Sequence, residues 1–221
     1  MTSEQLFYDK KTGFDRLTDE DKQGIQTYAE GYKKFLDESK TERDAVLEIA
    51  RMAESKGFRA WTRDDTLRPG DKIYRINRHK GIMLAVIGNQ SLAEGVRLTA
   101  AHLDAPRVDI RTVPLYEDNG MAFFKTHYYG GIKKYQWTCI PMALIGVVYT
   151  RSGKKVEINV GMKDDDPVFY ISDLLIHMAQ DQMKKTLAQG ITGEQLQAIC
   201  ATHSEENLAA KDALMKFFKD T

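Results

Sequence analysis

The chain has 221 residues, with 32 Lys plus Arg against 32 Asp plus Glu, so its formal net charge is zero. That balance gives no electrostatic ground for nucleic acid or an anionic membrane as partner, and no apolar run is long enough to cross a bilayer. Only Cys139 and Cys200 are present, which excludes a disulfide framework and a cysteine–zinc knuckle. The polar opening Met1-Thr2-Ser3-Glu4-Gln5 lacks a signal-peptide pattern, so the cytoplasm is the expected location.

Thr18 to Ser39 reads as a helix. Thr18 and Asp21 form a capping signature, and Ile25, Tyr28, Ala29, Tyr32, Phe35 and Leu36 recur at helical spacing. Thr41 and Asp44 open a second helix with Ala45, Val46, Ile49 and Ala50 on its apolar face, and Gly57 stops it. Leu67 to Asp71 is a turn signal, and strands are expected at Lys72–Asn77, Gly81–Ile87 and Val96–His102. The last two are nearly continuous apolar runs, as in a sheet covered on both faces. Left uncovered, they are expected to self-associate or to draw the terminal helix over them.

Beyond Pro106 the character changes. Arg107–Thr112 alternates charged and apolar residues, and Met121–Tyr129, Ala143–Tyr149 and Lys155–Val160 also read as strands, the last two joined by a turn at Arg151-Ser152-Gly153-Lys154. Ser172 is expected to cap a helix reaching about Leu187, with Leu174, Leu175, Met178, Ala179 and Met183 inward. A final amphipathic helix is expected over Ser204–Lys219.

Two stretches could carry chemistry. Ala100-Ala101-His102-Leu103-Asp104-Ala105-Pro106 ends an apolar strand in His-x-Asp and Pro, which is how several co-catalytic zinc peptidases present a first metal ligand. A metal-bound imidazole needs its second ring nitrogen held, and a nearby carboxylate can do this or orient a base. On its own the pattern is weak and more often marks a strand-end histidine bonded to a neighbour. The second stretch, Lys125 to Trp137, packs aromatic and polar residues around Gly130 and Gly131, where the backbone can take positive φ and approach closely. It reads as a pocket lining or as an exposed loop. His79 fits a solvated basic turn, His177 a structural position, and His203 with Glu205 and Glu206 either a metal group or a charged helix start.

Together, A-A-H-L-D-A-P-R-V-D, P-L-Y-E-D-N-G, K-T-H-Y-Y-G-G-I-K-K-Y-Q-W and D-P-V-F-Y-I-S-D-L-L-I-H-M-A-Q-D-Q-M closely resemble the aspartyl aminopeptidase and aminopeptidase I family of zinc metallopeptidases, bacterial branch. The resemblance implies a partial zinc-peptidase α/β catalytic domain over residues 1–105, an inserted, mainly antiparallel β lid and dimerisation domain over 106–200, and a terminal helix over 201–221 returning towards the catalytic domain. It implies removal of acidic or neutral N-terminal residues from a peptide substrate, two zinc ions, and homo-oligomers. Carried over by position, His102 is a metal ligand and Asp104 the acidic partner that tunes the site. Tyr129, Gly130, Gly131 and Tyr135 belong to the substrate-facing lid. Tyr135 stands where some relatives carry a His thought to reach a neighbouring subunit's intermediate, and Ala105 replaces the usual Ser.

Members of that family continue into a second catalytic segment bearing the remaining Asp, Glu and His ligands and the Glu base. None has a counterpart here, so the isolated chain is expected to be inactive and its partner to be that missing C-terminal segment. The alternative is a catalytically inactive assembly or binding module derived from the family.

Overall fold

The computed structural model describes residues 10–202 and 209–220. Two compact units divide the chain, Met1–Leu103 and Asp104–Thr221.

The first unit is built on two capped helices and a small sheet. Thr18 caps helix α1 (Asp19–Glu38) and Thr41 caps α2 (Glu42–Glu54). In each, the threonine hydroxyl accepts from the backbone N–H of an Asp three residues on, while that carboxylate accepts from the threonine N–H. Two orphan donors at each helix start are thereby satisfied. Gly57, at φ +82°, closes α2: its N–H donates to the Glu54 carbonyl at 2.9 Å and the next N–H, of Phe58, to Ala53 at 3.1 Å. Ala45, Val46, Ala50 and Ala53 form the buried face of α2, which packs on strands β2 (Lys72–Asn77) and β3 (Gly81–Val86). Tyr74 of β2 is buried there, and its hydroxyl donates to Glu54. The short β1 (Arg59–Ala60) runs parallel to β2, and β2 pairs antiparallel with β3.

The strand expected at Val96–His102 does not form. The segment carries no ladder pairing and is exposed throughout, because an apolar run becomes a strand only where a neighbouring strand pairs with it, and none of the described strands does. Likewise α1, despite its apolar stripe, has no buried residue; Tyr28 and Tyr32 lie open.

The second unit holds the larger core. Strands β4 (Arg107–Asp118) and β5 (Met121–Tyr129) form a hairpin through Asn119-Gly120, both at positive φ, which matches strand twist in a two-residue turn. Pairing shifts between Ile110 and Leu115, around Pro114, which has no N–H to offer the ladder. With β6 (Pro141–Met142), β9 (Phe169–Tyr170) and β10 (Ala198–Ala201) the order is β4-β5-β10-β9-β6, antiparallel throughout. Ala122, Phe124, Phe169, Ile171, Leu196 and Leu214 lie in its buried core. Helix α4 (Ala210–Asp220) covers β4, β5 and β10; residues 204–208 of the expected terminal helix lie outside the described residues.

Strands β7 (Leu144–Tyr149) and β8 (Lys155–Val160) form a separate hairpin, closed as expected with Gly153 at φ +82°. Gly161 follows at φ +99°, and a Cβ there would stand 3.0 Å from the Ala143 Cα. Backbone conformation and backbone clash act together, so Gly161→Ala is expected to cost ~1–3 kcal/mol, read from urea denaturation midpoints.

The Ser172–Leu187 helix is also not formed. Residues 172–186 run through successive turns, followed by a single helical turn, α3 (Leu187–Gly190). Of the five residues expected inward only Ala179 is buried. Asp173 takes the Leu174 N–H at 2.7 Å and the Gln182 amide at 2.9 Å, a local capture that competes with helix. With no surface against which Leu174, Leu175 and Met178 are covered, the amphipathic pattern has nothing to stabilise it.

Candidate functional site

His102 lies in the first unit, exposed on the segment that ends at Leu103. Asp104 opens the second unit and is half-buried. Its carboxylate accepts a hydrogen bond from the Tyr129 hydroxyl at 2.8 Å. Register explains the meeting: Arg107, at the start of β4, pairs with Tyr129, at the end of β5, so residues just before β4 come level with that ring. The Arg107 guanidinium stands 4.2 Å from the ring centroid, and its Nε donates to Asp109 at 2.8 Å. Cation and carboxylate therefore hold the tyrosine from its face and its tip.

Gly130 turns the chain directly after Tyr129 at φ +78°, against Pro106. Only a residue tolerant of that conformation lets strand β5 end beside the segment carrying Asp104. Gly131 is exposed, with open space where a Cβ would sit. Tyr135 is half-buried and packs against the hydrophobic core of the second unit, while its carbonyl accepts from Thr138 at 3.1 Å. Thus Asp104, Tyr129 and Gly130 are gathered at one end of the β4–β5 hairpin, and Tyr135 is directed to the core. Arg107 was not singled out by the sequence, although its place directly after Pro106 in an alternating strand put it on the same face as its cross-strand partner.

Among the described residues no three His, Cys, Asp or Glu side chains lie close enough to share a metal ion. A zinc site takes three or four protein ligands, so the described donor set does not by itself constitute one. His203, Glu205 and Glu206 lie outside the described residues.

Neither cysteine is disulfide-bonded. Burial pushes the Cys200 thiol up to about 12, and its Sγ donates to the Ala198 carbonyl at 3.2 Å. Its folded value exceeds the ~8.5 of a free thiol, so this contribution to stability is whole below that value and is lost as pH rises towards 12. At neutral pH, iodoacetamide followed by mass spectrometry is expected to label the exposed Cys139 first, and Cys200 only after unfolding.

This mixed α/β architecture matches solved M18-family aminopeptidases. An M18-family aminopeptidase from Thermotoga maritima superposes with a TM-score of 0.84 at 36% identity, covering 97% of this chain and 47% of that one. Aminopeptidase I from Borrelia burgdorferi gives 0.81 at 34%, covering 95% and 48%. In sequence, a probable M18 family aminopeptidase 1 from Clostridium acetobutylicum is 37% identical over 223 residues, 97% of this chain and 48% of its own length. The profile of the aminopeptidase I zinc metalloprotease (M18) family matches residues 35–219. The chain belongs to that family, and it spans about half the length of the curated relatives it matches.

Proposed function

We propose that this chain acts as part of a zinc-dependent aminopeptidase that removes acidic or neutral residues from peptide N-termini, in a cytoplasmic homo-oligomer. His102 is one metal ligand and Asp104 the acidic partner that tunes the site. Residues 1–105 belong to the catalytic domain. The following residues, through 200, form the lid and dimerisation domain and carry Tyr129, Gly130 and Gly131 towards the substrate. The remaining donors and the general base come from the part of the fold that this chain does not span. The observation that carries this reading is the family match over 35–219.

Two features support it. The Asp104–Tyr129 contact gives the acidic partner a fixed orientation, which a group tuning a metal ligand needs. The described donors fall short of a complete site, which agrees with a chain spanning about half of its relatives.

The test supplies the other half. The chain is mixed with zinc and with the portion of the C. acetobutylicum relative that it does not match, made as a separate polypeptide. Nitroaniline release from aspartyl- and leucyl-4-nitroanilide and bound zinc are then measured. The reading expects hydrolysis and retained zinc in the mixture, with neither polypeptide active alone. A mixture that forms a complex yet neither holds zinc nor hydrolyses would sink it and leave an assembly module.

A further inference from the structure

We propose that Arg107 is a positioning residue: it fixes the Asp104 carboxylate by clamping the tyrosine that bonds to it. The inference rests on the reading above, in which Asp104 tunes the site, and adds the group that aims it.

Arg107 and Tyr129 form the last pair of the β4–β5 ladder, a place where strands fray unless side chains hold them. Paired residues share a face of the sheet, and so do residues two apart on one strand. Arg107, Asp109 and Tyr129 therefore stand together on one side of the hairpin end. Three contacts of the guanidinium define the clamp. It lies 4.2 Å from the Tyr129 ring centroid, its Nε donates to the Asp109 carboxylate at 2.8 Å, and its Nη1 donates to the Ala105 carbonyl at 3.4 Å. The first contact holds the ring whose hydroxyl donates to Asp104 at 2.8 Å, and the third holds the backbone of the residue after Asp104. One side chain thus sets both the donor and the segment that carries the acceptor.

The chemistry of the clamp is specific to arginine. A planar guanidinium covers an aromatic face while donating along its own edge, whereas an ammonium does one or the other. Asp109 keeps the cation over the ring, since residues two apart on a strand present their side chains to the same neighbour. The Arg107 and Asp109 side chains are 35% and 42% exposed, so solvent screens the pair, and its contribution is to geometry more than to stability. Loss of Arg107 is therefore expected to release Tyr129 and Asp104 without unfolding the second unit.

The test has two arms. In the first, the full chain carrying ζ-¹³C-tyrosine is followed by NMR, the Tyr129 signal being the one missing from Tyr129→Phe. Asp104→Asn is expected to move that signal, Arg107→Met to move it in the same direction, and Arg107→Lys to move it less. In the second arm, hydrolysis is followed in the mixture with the unmatched portion of the C. acetobutylicum relative. Arg107→Met is expected to lower kcat ~3–10-fold on aspartyl- and leucyl-4-nitroanilide alike at unchanged KM, and Arg107→Lys to recover part of it. In a Tyr129→Phe background the same Arg107→Met change should cost less than about twofold, because it acts through that ring. Circular dichroism checks folding; should Arg107→Met unfold the chain, Asp109→Asn removes the anchor and is expected to move the tyrosine signal the same way. The inference is overturned by an unmoved tyrosine signal, by full kcat in Arg107→Met, or by an undiminished loss in the Tyr129→Phe background. A KM rise confined to the aspartyl substrate also overturns it and makes Arg107 a substrate contact. A wild-type mixture without hydrolysis fails the aminopeptidase reading alone, and the tyrosine signal then decides whether Arg107 sets the contact.

Discussion

A Leu196→Ala chain is expected to lose ~2–5 kcal/mol of stability in its second unit, the range for deleting a fully buried leucine whose cavity only partly collapses. Leu196 has no exposed surface and belongs to the cluster that includes Phe124, Ile171 and Leu214, so it shares one core with residues of strand β5, the segment after β9 and helix α4. Its backbone contributes separately: the carbonyl accepts from the hydroxyl of Thr126, itself buried in β5. Thr126→Val therefore makes a second arm, leaving an acceptor without that donor at a cost of ~1–3 kcal/mol. Trp61 lies in the first unit and Trp137 in the second, so urea denaturation in a Trp61→Phe background reports the second unit alone. A shift below about 1 kcal/mol for Leu196→Ala would mean that the core is organised without that side chain.

The elements legible in the sequence were those whose stability is local. Thr18 with Asp21 and Thr41 with Asp44 cap their helices as their spacing predicted, because a capping box needs only residues three apart. The β7–β8 hairpin followed from two strand-like runs joined by the turn at Gly153. Where a pattern depends on what lies opposite, sequence and structure part. Val96–His102 has the composition of a buried strand, and Ser172–Leu187 the spacing of an amphipathic helix, yet neither forms without a surface to receive it. Strands β1, β6 and β9 have two residues each, too few for any periodicity to show. The site follows the same division. His102 and Asp104 stand two residues apart and could be singled out from the motif. Tyr129 as the partner of Asp104, 25 residues away, became visible only with the register that sets Arg107 opposite Tyr129.

On the proposed reading of a complemented aminopeptidase with His102 as a metal ligand, His102→Ala is expected to lower kcat/KM by ~10³-fold or more. Loss of a metal ligand removes several kcal/mol of transition-state stabilisation, and each 1.36 kcal/mol is tenfold in rate. Asp104→Asn keeps the shape but not the charge, and a tuning group of that kind is worth ~10–100-fold. Tyr129→Phe removes the 2.8 Å hydrogen bond that fixes the Asp104 carboxylate and leaves the aromatic face beside Arg107 in place. Its effect should run in the same direction and stay within ~10-fold, since an oriented carboxylate is loosened and not lost. The order of the three effects matters as much as their sizes: ligand, then tuning carboxylate, then the residue holding it. His102 is exposed and Asp104 half-buried, so neither substitution opens a core cavity, and denaturation midpoints should stay near wild type while activity falls. A His102→Ala complex that kept more than a tenth of wild-type kcat/KM with its zinc intact would remove this histidine from the metal site. The Asp104–Tyr129 contact would then be a structural tie at the mouth of the hairpin.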